Sequence, residues 1–438
     1  MDGKLDQMKP GGGSRGVDGA AARSDRYRQF FLIMAFFALS VNMRAAITSL
    51  PPIVQELRTV FDISDGYAGF LTSIPVLCFG LLTPLIGYLM KGVRLETSVF
   101  ATLIGLVAGS ILRAGGGIGL TVAGTAVIGV SLTVGNIAAL LVIGREFPKR
   151  ISAMTGLYVC GMSCGSMGTM ALTAPLSHSL GWRTALAFPA LPALIGVMLW
   201  VVVVMLDRRK SDPLKEKPCD RAPKDTPAGE ACAETPSAPS VSVLRRPLVW
   251  LLAASFAAHT FLFYGITAWL PVYLEQTLSM TDAQAGVVAS LFQLLGLLGS
   301  FGLPLLAGTQ RFADRGLFLV VTLTWLLTAA GFWLAPAWWV AWVICGGIGS
   351  GGGFTVIFSM IMNRAKDLNE NRNMSTVVQT AGYIVAAASP FAIGHMHEIS
   401  GNWQSGMALL TSASVVMILC GLAATWPTTR AGNNGTRQ

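Results

Sequence analysis

The sequence predicts an all-α membrane protein of twelve transmembrane helices, arranged as two pseudo-symmetric six-helix bundles. Three observations predict it. The chain has 438 residues, of which 53% are hydrophobic and 12% charged, against about 25% charged for a soluble domain. Apolar runs recur along its whole length, many approaching the roughly 20 residues that a spanning helix needs. These runs lack the two-residue alternation of a membrane barrel. Finally, a pattern in the first half returns in the second. ITSLPPIVQE at 47–56 resembles ITAWLPVYLE at 266–275, an offset of 219, and Ala68, Gly69 and Ser73 recur as Ala285, Gly286 and Ser290. A repeat at one period implies two halves of similar build.

In chain order, residues 1–27 are polar and Gly-rich and read as a disordered cytoplasmic tail with no cleavable signal peptide. Six spans follow at roughly 28–57, 66–90, 95–113, 118–144, 150–176 and 183–206, forming an N-terminal bundle over 28–206. Residues 207–246 hold Pro213, Pro218, Pro223, Pro227, Pro236 and Pro239 among charges and small residues. This composition reads as a flexible linker. Six further spans at roughly 247–273, 283–307, 316–334, 337–363, 374–397 and 404–426 form a C-terminal bundle over 247–426. Residues 427–438 are a second cytoplasmic tail.

The basic residues orient the chain. With the amino terminus in the cytoplasm, the inside segments hold 27 of the 31 Lys and Arg residues, as the positive-inside rule requires. Both termini and the linker then lie inside. Arg58, Arg113 and Arg183 fall outside, and Arg44 falls within the membrane. The net charge of +9 is therefore a topology signal at the ends of apolar runs, and nucleic-acid binding is not expected. The seven cysteines, with Cys160 and Cys164 one turn apart, show no metal-ligand spacing and read as small packing residues.

Arg44 lies about 24 Å along its helix if the helix starts near Arg28, inside a hydrocarbon layer about 30 Å thick. A charge at that depth costs about 2.5–3.5 kcal/mol unless compensated, which makes it a functional candidate. Snorkelling to the outer interface and pairing in the interior are the alternatives. Ser40, Arg44, Thr48 and Gln55 share one helix face, so the stripe points to protein or water. No Asp or Glu sits within a span to neutralise it. Glu56 and Glu275 lie near outer helix ends, and Asp65 and Asp282 begin helices as N-terminal caps. A planar guanidinium without a carboxylate suits an anionic or dipolar solute with several acceptors.

Other polar residues sit at membrane depth: Asn42, Asn136, His259, Tyr264, Trp269, Gln293, Gln379 and Tyr383. Each is a substrate-contact candidate, with interhelical hydrogen bonding as the alternative. His259 reads as a packed histidine or a proton carrier. His395 and His397, near an outer helix end, are expected to be solvated. The run GGIGSGGG at 346–353 has no following Lys-Ser or Lys-Thr and no preceding strand. It reads as a packing and bending site in a moving helix. Paired catalytic carboxylates, zinc-type spacing and a GxSxG elbow are all missing from the sequence, so neither an enzyme nor a cofactor is expected.

These residues carry a resemblance. NMRAAITSLPP at 42–52, AGFLTSIPVLCFGLLTPL at 68–85, GTAVIGVSLTVGN at 124–136, REFP at 145–148, FYGITAWLP at 263–271, DRG at 314–316 and the run from Gln379 to Trp403 are similar to the cyanate and nitroimidazole permease group of the major facilitator superfamily. The resemblance implies an inner-membrane permease that works by alternating access, with the first, fourth, seventh and tenth helices lining the cavity. It supports Arg44, Asn42 and Thr48 as site residues and adds Asn136, Tyr264 and Trp269. Arg145, Asp314 and Arg315 become the gating residues. The sequence departs from the pattern at Gly144, where a lysine is common, and at Lys91, where an aspartate is usual.

The expectation is a monomeric secondary transporter for a small anion or small polar planar solute, cyanate-like, with a proton as candidate co-substrate. Its carrier would be His259, Glu56 or the solute itself. The alternative is an exporter of drugs or metabolites such as nitroimidazole-type compounds.

Overall fold

The computed structural model describes residues 14–208, 241–307, 314–365 and 368–425. Among the described residues every regular element is a helix. Twelve are long. The first six are α1 (Ser14–Thr48), α2 (Asp65–Leu89), α3 (Leu95–Arg113), α4 (Ile118–Glu146), α5 (Ile151–Leu180) and α6 (Ala190–Arg208). The second six are α7 (Pro247–Leu278), α8 (Asp282–Ala307), α9 (Asp314–Leu334), α10 (Trp339–Arg364), α11 (Leu368–Ser400) and α12 (Gln404–Ala424). These are the twelve predicted spans with shifted ends.

Two boundaries differ from expectation. Helix α1 reaches back to Ser14, so residues 14–27 are helical and not a structureless tail. At its other end α1 stops at Thr48 and does not run to residue 57. A 3₁₀ turn, Pro51–Ile53, and a short helix, Val54–Phe61, follow. Pro51 and Pro52 cannot donate to the helix ladder, and their rings clash with the preceding turn. Of the expected linker, residues 209–240 lie outside the described residues, as does the tail from 426 onward.

Among the described residues, eleven helices are long and apolar enough to cross a membrane. The exception among the twelve is α5, rich in Gly, Ser, Thr and Met. Its position explains this. It packs against α1 within its own bundle and against α8 of the other bundle, so much of its surface meets protein and not lipid. A Cβ on Gly165 would lie 2.0 Å from the Val41 carbonyl oxygen, so only glycine fits where α1 and α5 meet.

Helices α1–α6 form one bundle and α7–α12 the other. They join along two seams, α2 with α11 and α5 with α8. The seams are related by the sequence repeat, since α2 corresponds to α8 and α5 to α11. Lipid gives helices no hydrophobic reason to associate, so small residues and interhelical hydrogen bonds do the joining. The run at 346–353 stays helical within α10. A Cβ on Gly351 would come 1.8 Å from the Gly296 carbonyl oxygen of α8, which shows the packing half of its predicted role. In the second bundle α7 is the central element. Trp269 donates to the Pro390 carbonyl of α11 at 2.8 Å, and Tyr273 donates to the Phe332 carbonyl of α9 at 2.6 Å. Each buried polar tip thus pins α7 to a neighbour.

Three charged residues have roles that the sequence did not show. Arg113, expected outside, is 1% exposed. It donates to the Ala46 carbonyl at 2.9 Å, to Ser49 Oγ at 2.8 Å and to the Leu186 carbonyl at 3.3 Å. It closes the end of α1, whose last carbonyls have no helical partner and whose dipole favours a cation. Asp65 is not the cap of α2, because Ser64 Oγ accepts from the Tyr67 backbone N–H at 3.2 Å. Nor is Asp282 the cap of α8. There Thr281 and Gln284 exchange backbone and side-chain bonds at 3.0 and 3.3 Å, a capping box. Both aspartates are left free for other partners.

Candidate functional site

Arg44 stands one turn before the end of α1, half-buried between the two bundles. Its guanidinium carbon lies 4.8 Å from the ring centroid of Phe263 on α7. The ring's negative face attracts the cation, but it leaves the planar N–H fork unused. Among the described residues no carboxylate forms an ion pair with Arg44. Glu56, which could have folded inward, accepts a short hydrogen bond from Ser177.

Aromatic rings gather around this pair. Tyr264 sets its edge against Phe263 at 5.1 Å and lies 6.5 Å from Tyr383 of α11. Tyr383 in turn meets Phe256 of α7 at 5.6 Å and Phe79 of α2 at 5.7 Å. The last contact crosses between the bundles. The result is a cation set against a cluster of aromatic rings, placed where the bundles meet.

The structure divides the sequence-predicted site residues into two groups. Arg44, Tyr264 and Tyr383 come together. Asn136 is next to them through Tyr158, whose hydroxyl donates to Asn136 Oδ1 at 2.9 Å. Gln379 is half-buried one turn from Tyr383 on α11. The rest have partners elsewhere. Asn42 is 2% exposed and donates to the Ala38 and Pro192 carbonyls at 2.8 and 3.0 Å, so it ties α1 to α6. It lies two residues from Arg44, and two helical steps turn it to another face. Thr48 bonds the Arg44 carbonyl at 3.0 Å and Thr169 of α5 at 2.8 Å. Ser40 bonds its own helix at the Phe36 carbonyl. The polar stripe of α1 therefore lies largely against α5.

His259 accepts from the Trp325 indole N–H at 3.0 Å through Nδ1. An indole only donates, so that nitrogen carries no proton while the bond stands. Trp269 is 2% exposed and bonded to α11. Of the gating candidates, Arg145 pairs with Glu96 at 3.4 Å and Glu146 at 3.5 Å, both in its own bundle. Arg315 is exposed at the start of α9, and the Asp314 side chain lies outside the described residues. His397, expected to be solvated, is instead held by Asp65 at 3.0 Å.

Sequence reasoning missed Phe79 and Phe256, which extend the aromatic cluster through Tyr383, and Tyr158, which holds Asn136. An aromatic residue in an apolar helix carries no signal of which face it occupies relative to a distant cation.

Comparison with known proteins agrees with the fold. Residues 30–390 match the Major Facilitator Superfamily. The 2-nitroimidazole transporter of Escherichia coli (strain K12) is 27% identical over 394 residues, covering 90% of this chain and 95% of that protein. The cyanate transport protein CynX of the same organism is 25% identical over 377 residues, covering 85% and 91%. Among solved structures, a bacterial homologue of the human lysosomal transporter Spinster, in an inward-facing and unoccupied conformation, superposes with a TM-score of 0.64. It is 16% identical and covers 91% of this chain and 95% of that one, a likeness of fold.

Proposed function

The chain belongs to the Major Facilitator Superfamily and is a multi-pass membrane transporter, not an enzyme; from that premise we propose that it moves a small anion or small planar polar solute across a bacterial inner membrane by alternating access. Both termini face the cytoplasm in this reading, so the ends at which α2 and α8 begin face outward. One observation carries it. Arg44 sits between the bundles with its N–H fork unclaimed by any carboxylate among the described residues, over the ring of Phe263. A fork of this kind binds planar acceptors through two parallel bonds. Neighbouring aromatic faces favour a flat solute over a bulky one. The solutes in the names of the two relatives, cyanate and 2-nitroimidazole, are both small.

The site residues in this reading are Arg44, Tyr264, Tyr383, Asn136 and Gln379. Uptake of a monoanion against an inside-negative potential costs about 2.3 kcal/mol per 100 mV. A co-transported proton offsets that cost.

A second reading is export of nitroimidazole-type compounds. The aromatic cluster of Phe79, Phe256, Phe263, Tyr264 and Tyr383 favours it, because such faces stack on a flat ring. Purified protein in liposomes separates the two. Labelled cyanate and 2-nitroimidazole are offered on either side at several pH values, and saturable, Arg44-dependent flux of one identifies the solute. If neither moves and no small anion from a wider panel competes, the anion reading fails.

A further inference from the structure

Two histidine–aspartate contacts join the bundles at the end where α2 and α8 begin. His397, near the end of α11, meets Asp65 at the start of α2 with Nδ1 to Oδ2 at 3.0 Å. His178, near the end of α5, meets Asp282 at the start of α8 with Nε2 to Oδ2 at 2.9 Å. The histidines are 219 residues apart and the aspartates 217, the offsets of the internal repeat. Each seam thus carries one copy of the same contact. The capping hydroxyls of Ser64 and Thr281 leave both aspartates free to make it.

We propose that His178 and His397 are gating residues whose protonation holds this face of the transporter shut. With the histidine protonated, each contact is an ion pair between bundles. With it neutral, only a hydrogen bond remains. Histidine as a residue type changes charge in the range about pH 5 to 8. Closure is therefore strongest in mild acid, where histidine is charged and aspartate still ionised. It weakens as pH rises and the ion pairs are lost.

The two contacts differ in weight. The His397 and Asp65 side chains are 13% and 5% exposed, and the histidine ring stacks on Trp403 at 4.0 Å. The His178 and Asp282 side chains are 66% and 49% exposed, where solvent and salt screen the pair. The buried contact carries most of the effect.

The surrounding charges are few. Arg58 also pairs with Asp65, at 2.7 Å within the first bundle. Glu398 accepts from the Gly66 backbone N–H at 3.3 Å and lies 4.0 Å from His395. On the second seam, Glu56 bonds Ser177 beside His178, and Glu275 of α7 faces Asp282. None of these crosses between the bundles to a histidine in the way Asp65 and Asp282 do.

The proposal rests on alternating access and on the orientation given above. The test reads the gate without any solute. Spin labels are attached at Tyr67 and Ile399, exposed on α2 and α11, through an encoded keto amino acid that leaves the cysteines alone. Their distance distribution is measured in liposomes from about pH 5.5 to 8.5. The expected result is a short distance in acid and a growing long-distance population as pH rises. His397→Gln loses most of that response, and His178→Gln with His397→Gln loses it entirely. His395→Gln, a neighbouring histidine outside the contacts, keeps it. A pH response that survives in the double variant overturns the proposal, as does its absence in the unmodified protein. If the labels never separate while the liposomes still transport, alternating access falls with it.

Discussion

Arg44 of α1 stacks over Phe263 of α7, and the two residues hold the same place in the two halves of the chain, 219 residues apart. Equivalent positions in two halves related by a pseudo-twofold axis meet only close to that axis. The contact therefore puts the cation at the centre of the assembly, and the site is asymmetric there: charge on one side, a ring on the other.

Arg44→Ala lowers solute affinity by about 10- to 100-fold, the loss of a charged hydrogen bond worth about 1.5–3 kcal/mol. Arg44→Lys keeps the charge but not the fork, and recovers part of the affinity. Equilibrium binding of the transported solute to purified protein measures both. Full recovery by lysine removes planar recognition from the account.

Phe263→Leu keeps an apolar side chain but removes the ring face. A contact of this kind is worth about 0.5–2 kcal/mol, so affinity falls roughly 2- to 30-fold if the ring positions the guanidinium. In an Arg44→Ala background the same change has no further effect, because coupled residues are not additive. A double-mutant cycle on binding reads the coupling.

Arg113→Met separates the role of this buried arginine from that of Arg44. It removes the bonds to the Ala46 and Leu186 carbonyls and to Ser49 Oγ; Ala46 keeps the Ser49 hydroxyl, and the Leu186 carbonyl loses its arginine, at about 1–3 kcal/mol for a buried group left unpaired. Thermal unfolding in detergent drops by several degrees, while the solute affinity of the folded fraction stays within about twofold. Arg44→Met gives the reverse pattern.

Asn42→Leu is likewise a change of stability. Its amide joins α1 to α6 through the Pro192 carbonyl, on a face away from Arg44. The expected cost is about 1–3 kcal/mol in unfolding, with affinity unchanged. A loss of affinity larger than the loss of stability returns Asn42 to the solute site.

Gly351→Val drives α8 and α10 apart, since the first added carbon falls 1.8 Å from the Gly296 carbonyl oxygen. Overpacking of this sort costs about 1–3 kcal/mol or more. The variant shows a lower unfolding temperature and reduced yield from the membrane. Gly144→Ala, where a Cβ meets nothing within 4 Å, shows neither.

The class, the twelve helices, the two halves and the unusual charge of Arg44 are legible in the residues alone. Apolar length and repeat period are properties of the chain, and a lone arginine in an apolar run is visible without coordinates. Which polar residues share a space follows from the packing of the helices. Asn42 and Arg44 are neighbours in sequence but face different helices. Arg113 reads as a loop cation and turns out to cap α1. His397 and Asp65 are 332 residues apart, and neither carries any local mark of the other. Periodicity fixes which face of its own helix a residue occupies, but what that face meets depends on how α2, α5, α8 and α11 pack across the seams.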